Sequence, residues 1–122
     1  MEKKQGRVLI CDDSLLVRKK LKDILIKAGC EVYEARNGKE VVEIYQSSQP
    51  DLVFMDIVMP EADGLEALKN LKALDKNAHV IMLSSLGTSE KLIQALKNGA
   101  EDFIQKPYTT EQIMQIVAKI AK

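Results

Sequence analysis

Five residues that could do chemistry each lie at or just beyond the end of a short apolar run: Asp12, Asp13, Asp56, Ser84 and Lys106. The runs before them, such as V-L-I-C before Asp12, have the continuous apolar character of strands that are covered on both faces. Parallel sheets bind ligands at the carboxyl ends of their strands, which share one edge. If the runs form such a sheet, three carboxylates, a hydroxyl and an ammonium group meet at that edge.

Three carboxylates held together repel one another unless a cation neutralises them. Magnesium suits this set, because it takes one or two protein carboxylates together with waters and phosphate oxygens. Calcium is disfavoured, since the protein oxygens are too few for a calcium cage and no D-x-D-x-D-G loop is present. Zinc would require His or Cys, and the one histidine, His79, lies at the amino end of its predicted strand. The sequence therefore predicts a Mg2+ site.

A carboxylate beside magnesium can also attack phosphorus and form an aspartyl phosphate. Such a transfer depends on positioning and charge neutralisation, which Lys106 and the Ser84 hydroxyl can supply. This interpretation makes Asp12 and Asp13 the magnesium holders and Asp56 the reacting group. Taken singly, these residues have structural alternatives as a helix cap, as turn residues or as a solvated lysine. Their coincidence at one sheet edge favours the chemical interpretation.

The elements that position this set alternate between short apolar runs and amphipathic segments. Strands are predicted at 8–11, 30–35, 52–55, 80–83 and 102–104, and the second run alternates in polarity as an edge strand does. Two amphipathic helices are predicted from apolar residues at helical spacing. Their apolar stripes are Val17, Leu21, Ile24 and Ala28 in the first, and Ile113, Ile116, Val117 and Ile120 in the last. The candidate caps are Ser14, Asn37 and Thr109 at helix starts, and Gly29 and Gly99 at helix ends. Five βα units predict an α/β fold with a parallel sheet and helices on both faces.

Composition places the chain among ordinary globular domains. Its 122 residues predict a single domain over 1–122, and 18 basic residues balance 18 acidic ones. Zero net charge argues against binding nucleic acid or a membrane through the protein's overall field. The N-terminal apolar run is too short for a signal peptide or a membrane span. Cys11 and Cys30 fit no metal-ligand spacing, which favours buried thiols in a reduced compartment and the cytoplasm as the default location.

Four stretches of the sequence resemble the receiver domain of bacterial two-component response regulators, of the stand-alone chemotaxis-regulator type. They are V-L-I-C-D-D-S, D-L-V-F-M-D-I-V-M-P-E-A-D-G, V-I-M-L-S-S and G-A-E-D-F-I-Q-K-P, and the resemblance covers residues 6–121. It implies a flavodoxin-like doubly wound (βα)5 fold with strand order 2-1-3-4-5. It also implies phosphoryl transfer from a kinase phosphohistidine to Asp56, and contact of Ser84 and Lys106 with the phosphoryl group.

The same resemblance implies how the metal is held and how the signal leaves the site. Asp13 would bind Mg2+ directly and Asp12 largely through water, with Asp56 and the backbone carbonyl of Val58 as further ligands. The Lys106–Pro107 bond would be cis. Ser84 and Phe103 would form the switch, with a weak or inward-biased ring because Phe103 lacks a hydroxyl.

The responding surface would combine the fourth helix (about 89–98), the fifth strand and the fifth helix (about 110–121). The implied partners are a sensor histidine kinase or phosphotransfer protein and a downstream protein target. No direct contact with nucleic acid or membrane is expected, and the chain would be a monomer without an output domain.

Three other functions stay open at this point. An aspartyl-phosphate hydrolase would place a second Asp two residues after the nucleophile, where this chain has Val58. A flavodoxin-like cofactor binder would need a phosphate-cradling loop after strand one, where the Asp doublet would repel phosphate. The third is a receiver-like protein-binding module that is not phosphorylated.

Two further features carry weaker expectations. Val58 and Leu86 cannot orient an attacking water, which predicts slow self-dephosphorylation. The basic stretch at 18–22 is expected on the polar face of the first helix, where Arg18, Lys19 and Lys22 are either simply solvated or steer an acidic partner.

Overall fold

The computed structural model describes residues 6–57, 64–85 and 89–120. Strands and helices alternate through these ranges. The strands are β1 (Arg7–Cys11), β2 (Glu31–Ala35), β3 (Leu52–Asp56), β4 (Val80–Ser84) and β5 (Asp102–Gln105). The helices are α1 (Leu15–Lys27), α2 (Gly38–Ser48), α3 (Gly64–Leu74), α4 (Ser89–Lys97) and α5 (Thr110–Ile120). Each predicted strand is present within one or two residues of its expected bounds.

The five strands form one parallel sheet in the order β2-β1-β3-β4-β5. The predicted order is therefore confirmed, and the alternating 30–35 run is an edge strand as expected. The register aligns the strand ends that matter: Cys11 pairs with Met55, Asp56 with Leu83, and Ser84 with Gln105. The carboxyl ends of β1, β3, β4 and β5 consequently lie side by side.

The core divides into two layers because successive strand residues face opposite sides of the sheet. Leu9 and Cys11 belong to the layer that α2, α3 and α4 cover, whereas Val8 and Ile10 belong to the layer that α1 and α5 cover. Cys11 and Cys30 are both buried thiols, as the sequence predicted, and they lie in different layers. Burial, and then the charge of Asp12, raise the pKa of Cys11 well above its ordinary value, so this thiol is inert at neutral pH.

The helix boundaries follow the predicted caps. Ser14 accepts a hydrogen bond from the amide of Val17, and Thr109 and Gln112 form a reciprocal capping box. Asn37 caps α2 through the amide of Glu40, but the Glu40 carboxylate turns to Arg36 instead of closing a box on Asn37. Gly29 and Gly99 adopt positive φ after their helices, as predicted.

Helix α1 corrects one expectation of the sequence analysis. Its buried residues are Arg18, Leu21 and Leu25, so Arg18 lies on the core side and not on the solvated polar face. Lys19 is exposed and Lys22 pairs with Glu34. The proposed steering role is therefore wrong for Arg18, because this side chain faces the protein. In the part of the chain that the structure describes, no helix has the length and apolar character that crossing a bilayer requires.

Candidate functional site

The two adjacent carboxylates after β1 have opposite surroundings. Asp12 is only 1% exposed, whereas Asp13 is exposed. Asp12 continues the strand by donating its amide to the carbonyl of Ala35 at 3.2 Å, and its Oδ1 accepts the amide of Ser14 at 2.9 Å. The turn into α1 thus fixes the first carboxylate and leaves the second facing solvent.

Asp56 reaches the same place from the neighbouring strand. It is the last residue of β3 and is buried. One carboxylate oxygen from each of Asp12, Asp13 and Asp56 lies within 4.8 Å of the others. The structure therefore brings together the three carboxylates that the sequence predicted to converge.

Lys106 joins this cluster from the end of β5. Its Nζ lies 3.0 Å from Asp12 Oδ2 and 3.3 Å from Asp56 Oδ2. Burial lowers the pKa of the lysine, but the hydrogen bond and charge of Asp12, with those of Asp56, outweigh burial, so its pKa is raised. The ammonium group consequently remains charged and partly neutralises two of the three carboxylates.

Ser84 completes the predicted set from the end of β4. It is buried, and its hydroxyl donates to the carbonyl of Ile104 at 3.4 Å, near the limit for a hydrogen bond. The amide of Lys106 donates to the carbonyl of Ser84 at 2.7 Å, which ties the hydroxyl and ammonium residues together through backbone. The Lys106–Pro107 bond is cis, as the resemblance implied.

Three further positions were predicted from the sequence: Val58, Leu86 and Phe103. Val58 and Leu86 lie outside the described residues. Phe103 is described, and 40% of the residue is exposed on the edge strand β5. A fully buried ring is therefore not what the structure shows, and the switch itself stays a prediction.

Three residues that matter at the site were not assigned to it from the sequence. Arg18 donates to the Asp12 carbonyl at 2.7 Å, but its neighbours in R-K-K-L-K suggested a solvated face. Tyr108 lies beside Lys106, and burial raises its pKa; its place after Lys106–Pro107 was the available signal. Gly64 is the third: a Cβ there would lie 2.0 Å from the Asp56 carbonyl oxygen.

Gly64 shows how closely α3 approaches the strand that carries Asp56. Its amide donates to the carbonyl of Ile57 at 2.8 Å, so the first residue of the helix contacts the backbone just beyond β3. Only a residue without a side chain permits this approach. In the sequence, the signal for this close approach was the glycine that ends D-L-V-F-M-D-I-V-M-P-E-A-D-G.

The donor set fits a hard divalent cation. Carboxylate oxygens from three residues, one exposed and two buried, are the ligand type that Mg2+ prefers, and the exposed side leaves access for water and phosphate oxygens. No cysteine or histidine contributes to this group, which disfavours zinc. The arrangement can hold a metal ion, neutralise a phosphoryl group and offer a carboxylate as acceptor.

Comparisons with known proteins agree with this geometry. The model of the response regulator receiver domain family matches residues 8–118. The chemotaxis protein CheY of Thermotoga maritima is 46% identical over 117 residues, which cover 95% of this chain and 98% of the relative. CheY of Bacillus subtilis is 46% identical over 114 residues, covering 93% and 95%. Among solved structures, the CheX-CheY-BeF3-Mg2+ complex from Borrelia burgdorferi has a TM-score of 0.86 and 38% identity, covering 93% of this chain and 87% of that chain.

Proposed function

Because this chain belongs to the response regulator receiver family and is homologous to CheY, a phosphoacceptor of chemotaxis signalling, we propose that Asp56 is its phosphoryl acceptor. The observation that carries this proposal is the Lys106 ammonium group, which contacts both Asp12 and Asp56 within a cluster of three carboxylates. Asp56 is the acceptor because it ends the central strand β3, and Asp12 and Asp13 are the metal holders.

Receiver domains bind Mg2+ through an acidic pocket, and the Asp12, Asp13 and Asp56 group fits that role. The ion supplies a positive charge that neutralises phosphoryl oxygens during transfer. Asp13 is proposed as the direct ligand because it is exposed, and Asp12 acts largely through water because Lys106 and Ser14 already engage its oxygens. Asp56 and the backbone carbonyl of Val58 complete the proposed ligand set. The solved complex of the Borrelia relative contains Mg2+ and BeF3, which supports this assignment.

The transfer itself needs no other nucleophile. An Asp56 carboxylate oxygen forms a bond to phosphorus while the P–N bond of the donor phosphohistidine breaks, and the imidazole nitrogen keeps that electron pair and takes a proton. Lys106 then moves its contact from the carboxylates to a phosphoryl oxygen. The Ser84 hydroxyl donates to another, which requires it to leave the 3.4 Å bond to Ile104. That bond is long, so its loss costs little.

The signal is proposed to leave through α4, β5 and α5. Ile104, whose carbonyl Ser84 would release, adjoins Phe103 in β5. Exposed apolar side chains are present on all three elements: Ile93, Leu96, Phe103 and Met114. A downstream protein that buries some of these side chains would bind the phosphorylated and unphosphorylated conformations with different affinities. Phosphorylation would shift the population between the two conformations.

The protein is proposed to act as a phosphoacceptor and switch, with slow self-dephosphorylation at most, and not as an enzyme. An aspartyl-phosphate hydrolase would carry a second Asp where this chain has Val58. A sensor histidine kinase or phosphotransfer protein is the proposed donor, and the chain is proposed to signal by docking as a monomer. The two buried thiols support a cytoplasmic location, where cysteines stay reduced.

The decisive experiment is to incubate the protein with acetyl phosphate and Mg2+, and to locate the modified residue by mass spectrometry. The wild type should gain one phosphoryl group on Asp56, and removing Mg2+ with a chelator should prevent the gain. Asp56→Asn should lose it, while Asp23→Asn, which removes an exposed carboxylate of α1, should retain it. Full acid-labile uptake by Asp56→Asn would contradict the proposal.

A further inference from the structure

Arg18 is the one buried cation within residues 6–57, 64–85 and 89–120. It lies in α1 beside Lys19 and Lys20, which are both exposed, yet only 7% of Arg18 is accessible. Burying a charge is costly unless the group is paired and hydrogen-bonded. A cation in this position therefore has contacts that compensate for burial, and those contacts identify its role.

The guanidinium group makes two contacts that point in different directions. Its Nε lies 3.2 Å from Glu34 Oε1 on β2, and Glu34 also pairs with Lys22. Its Nη1 donates to the carbonyl oxygen of Asp12 at 2.7 Å. Arg18 thus links helix α1 to the edge strand and to the first peptide beyond β1.

That peptide joins the two carboxylates of the doublet, Asp12 and Asp13. The amide of Asp12 is held by Ala35, its carbonyl by Arg18, and its Oδ1 by the amide of Ser14. The hydrogen bond to the carbonyl therefore restrains the rotation of the peptide plane that separates the two side chains. We propose, on the basis of the function proposed above, that Arg18 is a positioning residue that fixes the Asp12–Asp13 peptide in the orientation that binds Mg2+.

Arg18 differs in this respect from the other cation at the site. Lys106 contacts the carboxylate oxygens themselves, so it occupies atoms that could ligate the metal ion. Arg18 contacts a backbone carbonyl and a carboxylate outside the cluster, and it leaves the ligand atoms available. Partners of this kind, one step removed from the metal ion, commonly control metal affinity by orienting the ligands.

The direction in which Mg2+ affinity changes when Arg18 is replaced distinguishes a positioning role from a purely electrostatic one. A positive charge near the site repels Mg2+, so loss of the Arg18 charge alone would tighten Mg2+ binding. Loss of the hydrogen bond to the Asp12 carbonyl would instead weaken it. A merely structural role would lower thermal stability and leave the Mg2+ affinity of the folded protein unchanged.

The test is calorimetric titration of Mg2+ into the metal-free protein. Arg18→Met should weaken binding by about 10- to 100-fold, the range found when the orienting partners of metal ligands are removed. Lys19→Met is the matched control: it removes the same charge from the same helix at an exposed position, and its Mg2+ affinity should stay within about twofold of wild type because solvent screens the charge.

A second variant keeps the test decisive if Arg18→Met does not fold. Arg18→Lys retains the charge, but its single ammonium group cannot hold Glu34 and the Asp12 carbonyl with the fixed fork of arginine. It should bind Mg2+ more weakly than wild type while circular dichroism shows a folded protein. Wild-type affinity or tighter binding in the folded variants would overturn the inference. Absence of Mg2+ binding in the wild type would instead overturn the proposed function.

Discussion

At the scale of single residues, the doublet after β1 combines a carboxylate that is held in place with one that is not. Asp12 has partners for both oxygens, in Ser14 and Lys106. Asp13 is exposed and shares the 4.8 Å cluster with two other acids. Its charge adds to the repulsion at the site while no metal ion compensates it, so this carboxylate is expected to lower the stability of the metal-free protein.

Asp13→Asn should therefore stabilise the metal-free protein and remove Mg2+ binding. Relief of about 1 kcal/mol would raise the melting temperature by about 3–6 °C in a domain of this size. Thermal unfolding in low salt with a chelator measures the first effect, and calorimetric titration measures the second. Asp23→Asn, at an exposed site on α1, should change the free energy of unfolding by no more than about 0.5 kcal/mol. A lower melting temperature for Asp13→Asn would contradict the proposed crowding.

At the scale of elements, α2 is tied to the residue that follows α3, away from the site. The Tyr45 hydroxyl donates to Asp75 Oδ2 at 2.8 Å. Burial, and then this hydrogen bond, raise the pKa of Tyr45, while the same bond and the Asn77 amide lower the pKa of Asp75 from its ordinary value of 3.8. A carboxylate with a lowered folded-state pKa stabilises the fold above its unfolded value, and the stabilisation is lost as pH falls through the folded value.

Tyr45→Phe should consequently lower the melting temperature at neutral pH by an amount that shrinks in acid. The difference from wild type should be full above pH 3.8 and should decline as pH falls through the lowered pKa of Asp75. Thermal unfolding across this pH range measures it. In an Asp75→Asn background, Tyr45→Phe should have an effect that does not vary with pH. A constant difference in the presence of Asp75 would show that the hydrogen bond is not the cause.

At the scale of the whole molecule, the proposed switch connects the carboxyl edge of the sheet to the surface of α4, β5 and α5. In this proposal the connection passes through the hydrogen bond between the Ser84 hydroxyl and the carbonyl of Ile104. A phosphoryl mimic should therefore change the surroundings of backbone amides well beyond the atoms that it touches. The size of this change depends on how differently the two conformations bind the mimic.

Beryllofluoride with Mg2+ should shift the amide NMR signals of α4, β5 and α5 more than those of α2. Ser84→Ala should still bind the mimic, because Asp56, Lys106 and the metal holders are intact, but its shifts in β5 should be smaller. Ser85→Ala is the neighbouring control and should retain the wild-type pattern. Equal shifts in β5 for Ser84→Ala and the wild type would remove Ser84 from the switch.

Much of the fold and most of the site could be predicted from local patterns. Continuous apolar runs predicted the strands. Because parallel strands share one carboxyl edge, the residues that follow those runs also predicted which side chains would lie together at the site. Arg18 could not be placed in this way. A cation in a basic run is usually solvated, and only the three-dimensional proximity of Glu34 and the Asp12 carbonyl makes its burial favourable. The exposure of Phe103 likewise depends on its neighbours in three dimensions, which no local pattern encodes.

The close approach of Gly64 to the backbone of Asp56 separates two reasons for intolerance to substitution. In a saturation library sorted for cellular abundance, variants at position 64 should be depleted like those at buried leucines, since every added side chain meets backbone at 2.0 Å. Variants at position 56 should survive that sort, and some should be enriched. If the library is sorted for signalling output instead, variants at both position 56 and position 64 should be depleted. Comparing the two sorts would thus distinguish residues that the chain needs to fold from those that it needs only to transmit information.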